Sequence, residues 1–177
     1  MTATATATIT LDALNNMPEA QFVERLGAVF EHSPWVAAQV ASARPFASVD
    51  ALHKAMIERV EAANKAARLA LIQAHPELAG TASVRRSLTR ESTREQAGAG
   101  LDQCSPEEYQ TLIELNEAYT QKFGFPFILA VRSYDRAGII AEFQRRLALA
   151  PDEQWRESLQ QVYKIARFRL DDLIAVD

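Results

Sequence analysis

Three side chains in this sequence could do chemistry together: the imidazole of His75, the carboxylate of Glu95 and the guanidinium of Arg169. A histidine titrates near neutral pH and can pass a proton to or from a substrate. His75 continues an apolar stripe through Ala67 and Leu71, yet it stands where Pro76 must end the helix, at a rim rather than in mid-core. That position also suits a histidine that does no more than interact favourably with a helix dipole. Ser92-Thr93-Arg94-Glu95 has the pattern of a capping box, with Ser92 as cap and Glu95 bonding back to it. A helix N-terminus also attracts anions, and Glu95 and Gln96 would stand beside such a site, so the two descriptions are compatible. Arg169 interrupts the aliphatic seam Leu159, Val162, Ala166, Leu173, Val176 of the last helix. A buried guanidinium is costly unless an anion answers it, whether substrate or internal carboxylate; the alternative is a snorkelling side chain.

The remaining chemistry-bearing residues give weaker patterns. His32 and His53 sit off the apolar stripes and read as structural or exposed. Trp35, Phe46, Trp155 and Phe168 read as core or interface. With one cysteine, Cys104, no intrachain disulfide forms, and no basic helper activates it as a nucleophile. The three histidines lack His-x-x-x-His or Glu-x-x-His spacing, which argues against a dedicated metal site. No nucleophile elbow, P-loop or dinucleotide fingerprint is present.

The 177 residues suit one domain with a real core, since 48% are hydrophobic. A net charge of −4 disfavours nucleic acid and anionic membrane as partners. No apolar run approaches the ~20 residues of a membrane span. Met1 to Thr10 lacks the basic and apolar regions of a secretory signal, and Ile174 to Asp177 is not a peroxisomal address. A cytoplasmic location is the expectation.

Helical spacing recurs along the chain. Residues 1–8 read as a disordered tail, and 9–177 as an all-α, single compact domain of about seven or eight helices. Pro18 opens a helix bearing Phe22, Leu26, Val29 and Phe30. Ser33 caps another at Pro34, carrying Trp35 to about Ala43. Ser48 caps a long helix whose stripe runs Leu52, Met56, Val60, Ala63, Ala67, Leu71, Ala74. A polar, basic connection covers Gly80 to Arg90. A short helix follows Ser92, and another runs from Ser105-Pro106 to about Lys122. Phe123 to Val131, interrupted by Gly124 and Pro126, reads as an extended buried loop. Asp135 caps a helix with Ile139, Phe143 and Leu147 inward, and Pro151 opens the last one.

These segments, in this order, resemble the 2-oxo-4-hydroxy-4-carboxy-5-ureidoimidazoline (OHCU) decarboxylases. The stretches that carry the resemblance are Phe30-Glu31-His32-Ser33-Pro34-Trp35-Val36-Ala37, Arg44-Pro45-Phe46, His75-Pro76-Glu77-Leu78-Ala79-Gly80, Ser92-Thr93-Arg94-Glu95-Gln96-Ala97-Gly98, Lys122-Phe123-Gly124-Phe125-Pro126-Phe127-Ile128 and Arg169-Leu170. The resemblance implies a cofactor-independent carboxy-lyase that forms (S)-allantoin and CO2 at the end of urate breakdown. It implies an all-helical homodimer that needs no metal. Carried over, it makes His75 and Glu95 catalytic. Substrate binding falls to Pro76, Ser92, Gln96, Phe127, Ile128, Leu129, Val131 and Arg169. Glu77 stands where the usual motif often has Asp. Two other readings remain: a non-catalytic helical interaction module, and another ureide-processing enzyme such as a hydrolase, which would need an activated water.

Overall fold

A computed structural model of the chain describes residues 8–80 and 86–175. Among these residues nine α-helices account for nearly all regular structure. They are α1 (Leu11–Asn16), α2 (Glu19–Leu26), α3 (Trp35–Val40), α4 (Val49–Ala62), α5 (Lys65–Gln73), α6 (Arg90–Gly98), α7 (Pro106–Phe123), α8 (Arg136–Leu147) and α9 (Pro151–Leu173). Two two-residue strands, β1 (Ile9–Thr10) and β2 (Ile174–Ala175), pair in parallel with Ile9 opposite Ile174. The all-α expectation holds. The tail before Thr8, residues 81–85 of the Gly80–Arg90 connection and the seam position Val176 lie outside the described residues.

The chain divides into two compact units, one of Met1–Arg68 with Tyr163–Asp177 and one of Leu69–Val162. In the first unit, Leu14, Phe22, Leu26, Val36, Val40, Leu52, Met56 and Val60 are buried. α2 stops at Leu26, and Val29 and Phe30 are buried in the turns that follow it. Asn15 uses both ends of its amide on Phe46, accepting from its N–H at 2.8 Å and donating to its carbonyl at 2.9 Å. Ser48 caps α4 as expected, accepting from the Ala51 N–H at 3.0 Å. His53 donates from Nε2 to the Tyr163 carbonyl at 2.8 Å, a structural role. Ser33 does not cap: its hydroxyl donates to the Glu31 carbonyl at 2.9 Å, and the helix forms from Pro34, already in helical geometry.

The long helix expected from Ser48 to Ala74 is instead two. Ala63 turns extended, with φ −70° and ψ 152°, and Asn64 Oδ1 accepts from the Ala67 N–H at 2.8 Å. An asparagine side chain bonds readily to nearby backbone N–H groups, so it starts a new helix in place of continuing the old one. The apolar spacing survives the break, which is why periodicity alone does not show it.

The second unit has Leu71, Ile72, Leu112, Tyr119, Phe127, Ile139 and Phe143 at its core. Ser105 and Asp135 cap α7 and α8, accepting from Glu108 N at 3.1 Å and Gly138 N at 2.7 Å. α7 ends on Gly124 with φ +78°, a conformation that glycine adopts without steric cost. Phe125 to Ala130 then runs without regular structure, and Phe127 to Val131 is almost fully buried, as the aromatic, β-branched run implied.

Candidate active site

α5 delivers His75 to the site. Its last turn closes with Ala74 N on the Ala70 carbonyl at 2.9 Å and His75 N on the Ile72 carbonyl at 3.2 Å. Pro76 has no N–H to extend it. His75 is only 6% exposed, and its Nδ1 lies 3.0 Å from the Leu71 carbonyl oxygen. A carbonyl only accepts, so Nδ1 carries the hydrogen and donates it. In the neutral ring the basic lone pair is therefore on Nε2. The backbone of the histidine's own helix thus selects the tautomer.

The loop after His75 is tied down from two helices. Gln96 of α6 accepts from the Ala79 N–H at 3.0 Å and donates to the Glu77 carbonyl at 3.1 Å. Asn116 of α7 donates to the Leu78 carbonyl at 2.9 Å. Ala79 adopts φ +49°, a strained conformation for a residue with a Cβ that these bonds help to hold. Both ends of the Gln96 amide therefore engage backbone groups of the His75 loop. Replacing Gln96 with Leu leaves a buried N–H and a carbonyl without this partner, at about 1–3 kcal/mol each. A fall in denaturation midpoint with faster amide exchange at Ala79 is the expected result; an unchanged midpoint would contradict it.

Thr89, not Ser92, caps α6, accepting from the Ser92 N–H at 3.2 Å. The capping-box assignment is thereby corrected: Thr89 has the extended backbone a cap needs, and Ser92 already lies in the first helical turn. Ser92 and Gln96, four residues apart, share the buried face at 5% and 7% exposure. Glu95 flanks that face half-buried. α6 also packs against the turn Val131–Ser133 that continues the buried loop. One unit thus gathers three of the segments picked out in the sequence: His75 to Gly80, Ser92 to Gln96, and Phe127 to Val131.

Arg169 belongs to the other unit. It is 3% exposed and forms an ion pair at 2.8 Å with Glu31, which is 1% exposed, and NH1 also donates to the Ala28 carbonyl at 3.0 Å. The anion demanded by a seam arginine is thus supplied, at least in part, from within the chain.

The model of the OHCU decarboxylase family matches residues 15–171. The chain belongs to this family. Among its relatives, the 2-oxo-4-hydroxy-4-carboxy-5-ureidoimidazoline decarboxylase of Haloferax volcanii is 41% identical over 162 residues, 92% of this chain and 94% of that protein. The uric acid degradation bifunctional protein PucL of Bacillus subtilis is 41% identical over 165 residues, which span 93% of this chain but only 33% of that protein. The crystal structure of an (S)-allantoin synthase superposes with a TM-score of 0.75 at 30% identity, covering 94% of this chain and 54% of that one.

For an OHCU decarboxylase family member, one buried group here escaped the sequence reading. Arg146 of α8 is fully buried, whereas Leu147, expected on the inward stripe, is half-buried. The inward positions are Ile139, Phe143 and Arg146, so the stripe takes a three-residue step at its end. Like Arg169, Arg146 puts a cation on an otherwise apolar seam. It was hidden because Leu147 next to it also fits helical spacing.

Proposed function

We propose that this chain is a carboxy-lyase that removes CO2 from 2-oxo-4-hydroxy-4-carboxy-5-ureidoimidazoline to form (S)-allantoin, at the end of the conversion of urate to allantoin. The family match over residues 15–171 carries the reading. The fixed tautomer of His75, beside a loop clamped by the Gln96 next to Glu95, supports it. On this reading the enzyme works as a cytoplasmic homodimer without metal or organic cofactor.

The chemistry follows from the substrate. Its carboxylate sits on a carbon bonded to a hydroxyl and a ring nitrogen. When the bond to the carboxylate breaks, CO2 leaves and the electron pair spreads into the ring system, so the substrate holds its own electron sink. A proton must then reach one face of the neighbouring ureido-bearing carbon, the new stereocentre, while the hydroxyl gives up its own proton and becomes the ring carbonyl. His75, protonated on both ring nitrogens, provides it from Nε2 and takes up the hydroxyl proton there in exchange, and Glu95 stabilises the charged imidazolium. The peptide groups of Phe127 to Val131, with Pro76, Ser92 and Gln96, hold the ring. Arg169 contacts the ureido or carbonyl oxygens. A tight grip on the departing carboxylate would stabilise the ground state and slow its loss.

The test supplies freshly generated substrate to the purified protein and follows CO2 release and the optical activity of allantoin, with and without chelator. Rapid formation of the (S) enantiomer, unaffected by chelator, is expected. Racemic product at the spontaneous rate would reject the reading. Loss of activity with chelator would point to metal-assisted chemistry.

A further inference from the structure

The guanidinium of Arg146 is 0% exposed, and every hydrogen bond it makes among the described residues goes to a neutral group. Nε donates to Gln154 Oε1 at 3.0 Å. NH2 donates to Ser158 Oγ at 3.1 Å and to the Tyr119 hydroxyl at 3.4 Å. NH1 donates to the backbone carbonyl of Ile128. The cation also lies over the Phe127 ring, 4.5 Å from its centroid. Burial pushes its pKa down from the ordinary value, while Tyr119 beside it pushes the other way.

Filling this space with Met or Leu would avoid the desolvation of a charge, a replacement that is often neutral or stabilising. A planar guanidinium does what neither can: it donates along several fixed directions at once. One of those directions ends on the loop Phe127 to Val131, whose residues 127–130 belong to none of the described helices and strands. Two residues on, the Ala130 N–H donates to Gln161 Oε1 at 3.0 Å. Gln154, Ser158 and Gln161 recur at helical spacing along α9 and are all buried. They form a polar stripe beside the aliphatic one. Within the loop, Phe127 stacks on Phe143 with centroids 3.7 Å apart and meets Tyr119 edge-on.

We propose that Arg146 is a positioning residue for the decarboxylation: with the α9 stripe, it sets the orientation of the Ile128 and Ala130 peptide groups that line the substrate pocket. The proposal rests on the reading above, in which Phe127 to Val131 faces the substrate. The loop continues into the turn at Val131–Ser133, against which α6 packs, so an error in the loop is transmitted to the helix that carries Glu95. A displacement of ~1 Å in positioning groups can cost ~10²-fold in rate.

The test compares Arg146→Lys, which keeps the charge but loses the fork, with Gln161→Met, which removes the acceptor from Ala130 and buries no new charge. Ile139→Ala, fully buried on the same helix, is the control for loss of stability alone. Both test variants are expected to speed amide exchange at residues 128–130 and to lower kcat/KM by ~10²-fold in protein that is still folded. The control is expected to melt earlier while its folded fraction keeps wild-type kcat/KM. Should Arg146→Lys fail to fold, Gln161→Met decides. Unchanged exchange at 128–130, or losses no greater than the control's, would overturn the proposal. A wild-type protein with no decarboxylase activity would instead overturn the functional reading on which it rests.

Discussion

Substituting His75 with Asn lowers kcat by ~10²–10⁴-fold, the range a positioned general acid–base supplies, and the allantoin formed loses its enantiomeric excess. Asn is the informative replacement because its side-chain N–H can still donate to the Leu71 carbonyl, where His75 Nδ1 now donates at 3.0 Å. The helix end and the loop behind it should then persist, with only the titrating Nε2 removed. Circular dichroism and melting close to wild type, together with the kinetic loss, are the expected pattern. A variant that keeps both full rate and full enantiomeric excess would remove His75 from the mechanism. One that unfolds would show that the ring is needed mainly for packing.

Breaking the buried pair of Glu31 and Arg169 gives the largest expected effect on stability. Both side chains are almost completely buried, 2.8 Å apart. Removing one partner of such a pair typically costs ~3–5 kcal/mol, because the other charge stays buried without its counter-charge. That is a large share of the ~5–15 kcal/mol by which proteins are stable. Glu31→Met is therefore expected to lower the denaturant midpoint sharply. The double variant Glu31→Met with Arg169→Met should recover much of the loss, because neither charge is then stranded. It should stay inactive if Arg169 also contacts the substrate. A double variant as unstable as the single one would argue that packing, not charge, holds this position. A stable and active double variant would make Arg169 purely structural.

Much of this protein was legible in its sequence, because the signals involved are short-range. The buried stripe Leu52, Met56, Val60 follows from helical spacing. The helix stop before Pro76 follows from the missing N–H and the steric limits on the residue before proline. The buried, irregular run at Phe127 to Val131 follows from Gly124 and Pro126 among aromatic and β-branched residues. The cost of an arginine on an aliphatic seam marked Arg169 before any coordinates. What tertiary structure decided is which groups answer one another. Thr89 caps α6 in place of Ser92, and Asn64 splits a helix whose apolar spacing runs on unbroken, because neighbouring polar residues compete for the same backbone N–H groups and packing chooses between them. The counter-charge of Arg169 turned out to be Glu31, from a distant stretch of chain, and the tautomer of His75 is set by Leu71. Arg146 went unseen because its adjacent Leu147 satisfies the same period, and only the packed core shows which of the two turns inward.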